Sequence, residues 1–65
     1  MKYIIYYSNG VHFSHFTKNL RGAKKVASQR IPEGFKDEGE HYISIYEFDG
    51  MLPIATRQNG KWDNN

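Results

Sequence analysis

Apolar and polar residues alternate near both ends of the chain, and apolar residues recur at helical spacing in its middle. The alternating stretches are interrupted by Asn9-Gly10 and Asp49-Gly50, and a third Asx-Gly pair stands at Asn59-Gly60. Such a pair accepts the positive φ angles of a two-residue hairpin turn, so each one predicts a β-hairpin. The predicted strands are residues 2–8 paired with 11–16, residues 41–48 paired with 51–57, and a short fifth strand at 61–62.

The segment between the two hairpins, residues 20–31, is predicted to be an amphipathic helix. Thr17 or Asn19 can cap its start, and Pro32 ends it. An acidic loop follows at residues 33–40, which Phe35 is expected to anchor to the core. The apolar positions of the helix share one face: Leu20, Ala23, Ala27 and Ile31, with Val26 on the flank.

These elements predict an α+β fold made of one small domain over residues 1–65. Their order is β-β-α-β-β, with an antiparallel sheet, one helix packed on one of its faces and an optional fifth strand. Small side chains at Ala23 and Ala27 would let the helix approach the sheet closely.

The turns also predict which residues share a face of the sheet, because side chains alternate along a strand. A two-residue turn at Asp49-Gly50 sets Ile45 opposite Ile54. The side toward the helix would then carry Ile43, Ile45, Leu52 and Ile54. The far side would carry an aromatic contact face of Tyr42, Tyr46 and Phe48 with Arg57, and Met51 beside them.

The first hairpin has two apolar faces, so its buried side is not determined. One face would hold Ile4, Tyr6, Val11, Phe13 and His15, and the other Tyr3, Ile5, Tyr7, His12, Ser14 and Phe16. A sheet covered by one helix should have one solvent-exposed face. The excess is therefore covered by the 33–40 loop or the Trp62 segment, or it is a surface for a partner.

Charge divides the chain into two halves. Residues 1–32 carry six Lys or Arg and no acid, whereas residues 33–65 carry three bases and seven acids. The basic residues near the helix are Lys18, Arg21, Lys24 and Lys25. They would contact a partner or the phosphates of a nucleic acid. The alternative is an ordinary solvated face, partly neutralised by the acidic loop.

Other functional classes are disfavoured by the composition. The chain has no Cys, and His12 and His15 would point to opposite faces of a strand, so we expect no metal or cofactor. A thin fold with one helix offers no deep cleft for acid–base chemistry, so we expect no enzyme, although a small metal-free nuclease stays an alternative. With neither a signal peptide pattern nor a membrane-spanning stretch, we expect a cytoplasmic protein that binds no membrane.

Several stretches resemble short uncharacterised proteins of bacteriophages and prophages. They are NLRGAKKVAS at 19–28, the strand at 43–48 with Asp49-Gly50, IATR at 54–57, and Asn59-Gly60-Lys61-Trp62. The resemblance implies a mobile-element origin. It also implies a protein that binds and inhibits, or redirects, a host protein or nucleic-acid machine in the host cytoplasm.

These observations lead to two hypotheses for function. The first is a small non-catalytic binding module that docks on a host protein, for example a nucleic-acid-handling enzyme. The second is a direct nucleic-acid binder that uses the basic helix and the aromatic sheet face. Pairing of exposed strand edges, or burial of a Tyr-rich face, would in addition make a homodimer.

Overall fold

The computed structural model describes residues 1–65 and confirms the α+β fold. One helix packs on a five-stranded antiparallel sheet whose strand order is β2-β1-β3-β4-β5. The predicted fifth strand is present and is longer than expected. The elements are β1 (Lys2–Tyr7), β2 (His12–Phe16), α1 (Leu20–Gln29), β3 (Ile43–Glu47), β4 (Ala55–Gln58) and β5 (Lys61–Asn64).

Helix α1 begins where its cap predicts. Of the two candidate caps it is Asn19 that acts, since its Oδ1 accepts a hydrogen bond from Gly22 N–H at 3.0 Å. The helix ends at Gln29, earlier than predicted, and Arg30 N–H closes the last turn on Val26 C=O at 2.9 Å. A residue that precedes a proline disfavours helical angles, which keeps Ile31 outside the helix.

The core lies between α1 and one face of the sheet, and alternation along the strands determines its members. Ala23 and Ala27 of the helix are fully buried, as their small size predicts. The loop residue Phe35 is buried too and packs edge-on against Tyr7, with 5.4 Å between ring centroids. From the sheet come Tyr3, Ile5, Tyr7, Ile43, Ile45 and Ala55.

Tyr7 connects the sheet to the end of the helix. Its hydroxyl lies 2.7 Å from Ala27 C=O and 3.1 Å from Arg30 C=O. A single O–H group therefore donates to the carbonyls at the end of α1. Burial raises the pKa of Tyr7 above 10.0, while the nearby charge of Arg30 acts in the opposite direction. The neutral phenol is therefore the form that the folded protein favours.

The predicted turn of the first hairpin is wrong by one residue. Tyr7 N–H donates to Val11 C=O at 2.8 Å across a three-residue loop, and Gly10 takes a positive φ of 98°. A turn followed by a glycine in this conformation is the usual alternative to the two-residue loop. Ile5 consequently pairs with Phe13. The shift resolves the two ambiguous faces, since it places Phe13 with Ile5 on the helix side.

The predicted register of the second hairpin is also wrong. Strand β3 ends at Glu47 and β4 starts only at Ala55, so Ile45 pairs with Ala55 instead of Ile54. Pro53 has no N–H to donate, which explains why the ladder does not continue through this segment. Leu52, predicted to be core, is 77% exposed. Arg57, predicted on the far side, faces the helix.

The third turn behaves as predicted. Asn59 and Gly60 both have positive φ, 54° and 77°, as a two-residue turn of the mirror-image type requires. Gln58 then pairs with Lys61, and Arg57 pairs with Trp62. The short hairpin therefore brings Trp62 to the same side of the sheet as α1.

Candidate functional site

The sheet face away from α1 is the first candidate site, and we call it the open face. Two of its rings are largely exposed, Phe16 at 74% and Phe48 at 57%, while Ile4, Tyr6 and Tyr46 are half-buried. The strand pairings and the alternation of side chains place on it Lys2, Ile4, Tyr6, Phe16, Tyr46 and Phe48, together with the polar residues His12, Ser14, Ser44, Thr56 and Asp63.

Neither segment that was expected to cover the apolar excess lies over the open face. Phe35, from the 33–40 loop, contacts Tyr7 on the helix side of the sheet. Trp62 pairs with Arg57, whose side chain reaches α1 by donating to Ser28 Oγ at 2.8 Å. The rings of the open face therefore stay uncovered by either segment.

A lysine between two aromatic rings forms one end of the open face. Lys2 Nζ lies 3.9 Å from the ring centroid of Phe48 and 5.6 Å from that of Phe16. Phe48 N–H donates to Lys2 C=O at 3.1 Å, which holds the backbone of this corner together. An ammonium over an aromatic face is attracted by the ring quadrupole. Lys2 was not among the predicted site residues, although its alternation with Ile4 and Tyr6 could have identified it.

The four residues of the predicted aromatic contact face are not all brought together. Tyr46 lies opposite Ile4, and Phe48 lies beside Lys2, so these two share the open face. Tyr42 lies at the far end of β3, where its N–H donates to Ser8 Oγ at 3.1 Å. Arg57 is on the opposite side of the sheet because the register of its strand differs from the predicted one.

Arg57 instead forms an ion pair that links two parts of the fold. Its Nε lies 3.1 Å from Asp37 Oδ2 in the one ion pair of the protein. The Nε hydrogen makes no aligned hydrogen bond, so the attraction is mainly between the two charges. Asp37 is buried and also accepts from Gly60 N–H at 2.9 Å. This cluster fastens the acidic loop to the β4–β5 turn.

The acidic loop is bound to the β4–β5 turn and makes no ion pair with the basic residues of the helix. Besides Asp37, the loop is held by Asn59, whose N–H donates to Asp37 C=O and whose Oδ1 accepts from Gly39 N–H at 3.2 Å. No carboxylate forms an ion pair with Lys18, Arg21, Lys24 or Lys25. Direct ion pairing therefore contributes nothing to the neutralisation of the helix that the sequence offered as an alternative.

The second candidate site is a depression of about 630 Å³ between α1 and β5, which we call the basic groove. Lys24 borders it with its Nζ donating to Asn64 Oδ1 and lying 5.8 Å from the centroid of the Trp62 ring. Arg21 and Lys25 are exposed. The lining residues are Asn19, Arg21, Gly22, Lys24, Lys25, Ser28 and Trp62.

Helical and strand periodicities explain this arrangement. Arg21, Lys25 and Ser28 recur on one side of α1, away from the Ala23–Ala27 stripe. Asp63 pairs with Thr56 and points to the open face, so it places no negative charge in the basic groove. Lys18 is exposed but precedes the cap and does not line the groove. Asn19, Gly22, Ser28 and Trp62 line the groove without having been predicted as contact residues, and Trp62 is the aromatic one among them.

The comparisons with known proteins add no relative. The chain matches no family model, no curated protein and no solved structure. Its single helix is too short and too polar to cross a membrane.

Proposed function

We propose that this protein is a small, non-catalytic, cytoplasmic binding module that docks on a partner protein through its open face. One observation carries the proposal: an aromatic and aliphatic sheet face with two largely exposed rings has no covering element. Large exposed apolar patches on small domains mark interaction surfaces.

The composition of the open face favours a protein as the partner. Phe48 and Tyr46 offer rigid rings beside the half-buried Ile4, and such rings are enriched at the centres of protein interfaces. The face is part of a sheet and lacks a deep cavity, so it suits another protein surface better than a small molecule. Lys2, at its end, adds an ammonium that would favour a carboxylate on the partner.

The resemblance to short phage and prophage proteins makes a host protein the expected partner. A nucleic-acid-handling enzyme is one such candidate. A module of this size would act by occupying a surface of its target with its exposed rings.

The test is capture followed by reconstitution. Immobilised wild-type protein and the variants Phe48→Ser and Leu52→Ser are exposed to a bacterial lysate, and retained proteins are identified and purified. Leu52 is the matched control, because it is an exposed apolar residue outside the sheet. We expect a purified partner to bind wild-type protein and Leu52→Ser equally and to lose Phe48→Ser. A partner that binds all three equally would overturn the proposal.

The basic groove supports a second candidate function, which is direct binding of nucleic acid. The specific observation is that Arg21 and Lys25 are exposed and form no ion pair, next to the ring of Trp62. Lysine and arginine would displace counterions from phosphates, and an aromatic ring can stack on a base.

This second candidate has its own test, in which the two proposals separate. Binding to a single-stranded oligonucleotide should weaken steeply with salt and should be lost in the double variant Arg21→Glu/Lys25→Glu. The Phe48→Ser variant should bind the oligonucleotide like wild type. Binding that is unchanged by the double reversal would rule this function out.

A further inference from the structure

One edge of the sheet lacks the features that usually protect an edge strand. Strand β2 is outermost in the order, and its sequence HFSHF contains no Lys, Glu, Asp or Pro. The opposite edge, β5, carries Lys61 and Asp63. Charged residues and proline are the common means by which edge strands avoid pairing with another chain. The β2 edge is therefore the one available for strand addition.

The hydrogen bonds of β2 show which of its backbone groups are free. Val11 C=O accepts from Tyr7 N–H at 2.8 Å, and Thr17 N–H donates to Met1 C=O at 2.9 Å. Bonded positions recur at every second residue of an antiparallel ladder, so the backbone N–H and C=O groups of Phe13 and His15 also point to β1. The outward N–H and C=O groups belong to His12, Ser14 and Phe16.

We infer that the protein forms a symmetric dimer in which β2 pairs antiparallel with β2 of a second copy about a twofold axis at Ser14. Ser14 then faces Ser14 of the second copy, and His12 faces Phe16 in both directions. All three outward residues are used, and each pair exchanges two hydrogen bonds. Moving the axis to either side of Ser14 leaves at least one outward residue unpaired.

The side chains of this register also complement one another. An imidazole lies opposite a phenyl ring on both faces, because Phe13 faces His15 on the helix side as His12 faces Phe16 on the open side. Aromatic pairs of this kind stabilise adjacent strands. The strand carries no formal charge at pH 7, so two copies do not repel each other at the edge. Phe16, 74% exposed in one chain, gains a neighbour.

The dimer shares Phe16 with the open face but leaves Phe48 free, so it does not depend on the docking proposal. Two open faces would join into one continuous surface. A partner with two equivalent binding sites could then contact both chains of the dimer.

Charge at the twofold axis tests the inference. Ser14 is exposed, so either a lysine or a glutamate fits the monomer. Sedimentation equilibrium should give twice the 7.6 kDa chain mass for wild type and for Ser14→Thr. It should give the single-chain mass for Ser14→Lys and for Ser14→Glu, because like charges then face each other. An equimolar mixture of these two variants should regain the doubled mass.

Several results would overturn the inference. Wild type at the single-chain mass up to millimolar concentration is one, and charged variants that stay dimeric are another. A Lys and Glu mixture that fails to associate would exclude the axis at Ser14.

A second measurement keeps the test valid if the charged variants misfold. Because the chain has no Cys, a Ser14→Cys variant has one site for an interchain disulfide, and opposite residues in a ladder lie within its reach. We expect rapid oxidation to a covalent dimer at Ser14→Cys and slow oxidation at Lys61→Cys on the other edge. Equal rates would contradict the pairing.

Discussion

The two faces of the sheet differ although they are made by the same strands. Along β1, Tyr3, Ile5 and Tyr7 are buried under α1, while Ile4 and Tyr6 are only half-buried on the open face. Both sets are apolar, so hydrophobicity alone does not distinguish them. The difference is the helix, which covers one face and leaves the other available. Residues on the covered side are therefore committed to stability, whereas those on the other side are not held by the helix.

The largest loss of stability should come from Ile5, and its neighbour Ile4, on the other face of the sheet, provides the comparison. Ile5→Ala removes a fully buried side chain and should cost about 2–5 kcal/mol, whereas Ile4→Ala, half-buried, should cost about 1 kcal/mol. Urea unfolding of both variants measures the two free energies. Equal losses would show that the open face is as much a part of the core as the covered one.

The next effect concerns Arg57, which the fold moves from the predicted contact face to the helix side. Replacing Asp37 by Asn should cost about 1.5–3 kcal/mol, because the ion pair with Arg57 is lost and the hydrogen bond from Gly60 N–H no longer has a charged acceptor. A double-mutant cycle with Arg57→Met measures the coupling between them. No measurable coupling would contradict a structural role for the pair.

Tyr7 should show a smaller effect that depends on pH. Tyr7→Phe loses the hydroxyl contacts with the last turn of α1 and should cost about 1 kcal/mol at neutral pH. Because the pKa of Tyr7 is raised in the folded state, its contribution is present below pH 10.0 and is lost as pH rises through the folded pKa. The gap between wild type and variant should narrow above pH 10.0. A constant gap would contradict this account.

The smallest stability effect should come from the open face itself. Phe48→Ser removes an exposed ring and its cation–π contact with Lys2, at a cost of about 0.5–1 kcal/mol. Thermal unfolding beside Leu52→Ser checks this value. A loss as large as that of Ile5→Ala would show that Phe48 is a structural residue.

Much of the fold could be predicted from the sequence, because its signals are local. The 3.6-residue stripe through Ala23 and Ala27, the cap at Asn19 and the turn at Asn59-Gly60 each depend on residues close together in the chain. The element order follows from these signals. The Ala positions were expected to lie against the sheet, and they are fully buried there.

The candidate sites were less predictable because they depend on register. Asn9-Gly10 is compatible with a two-residue and a three-residue loop, and the choice decides whether Phe13 lies with Ile5 or with Ile4. Likewise, a shift of one residue at Ile45 carries Arg57 to the other face. Neither choice is determined by local propensity; each is determined by which side chains the helix covers.

The docking role of the open face is tested by the affinity of the purified partner for Phe48→Ser, measured by titration calorimetry beside wild type and Leu52→Ser. If the open face is the docking surface, Phe48→Ser should bind at least about 30-fold more weakly, as loss of an interface anchor implies, while Leu52→Ser binds like wild type. Equal affinity for all three proteins, with the fold of Phe48→Ser intact, would contradict the account.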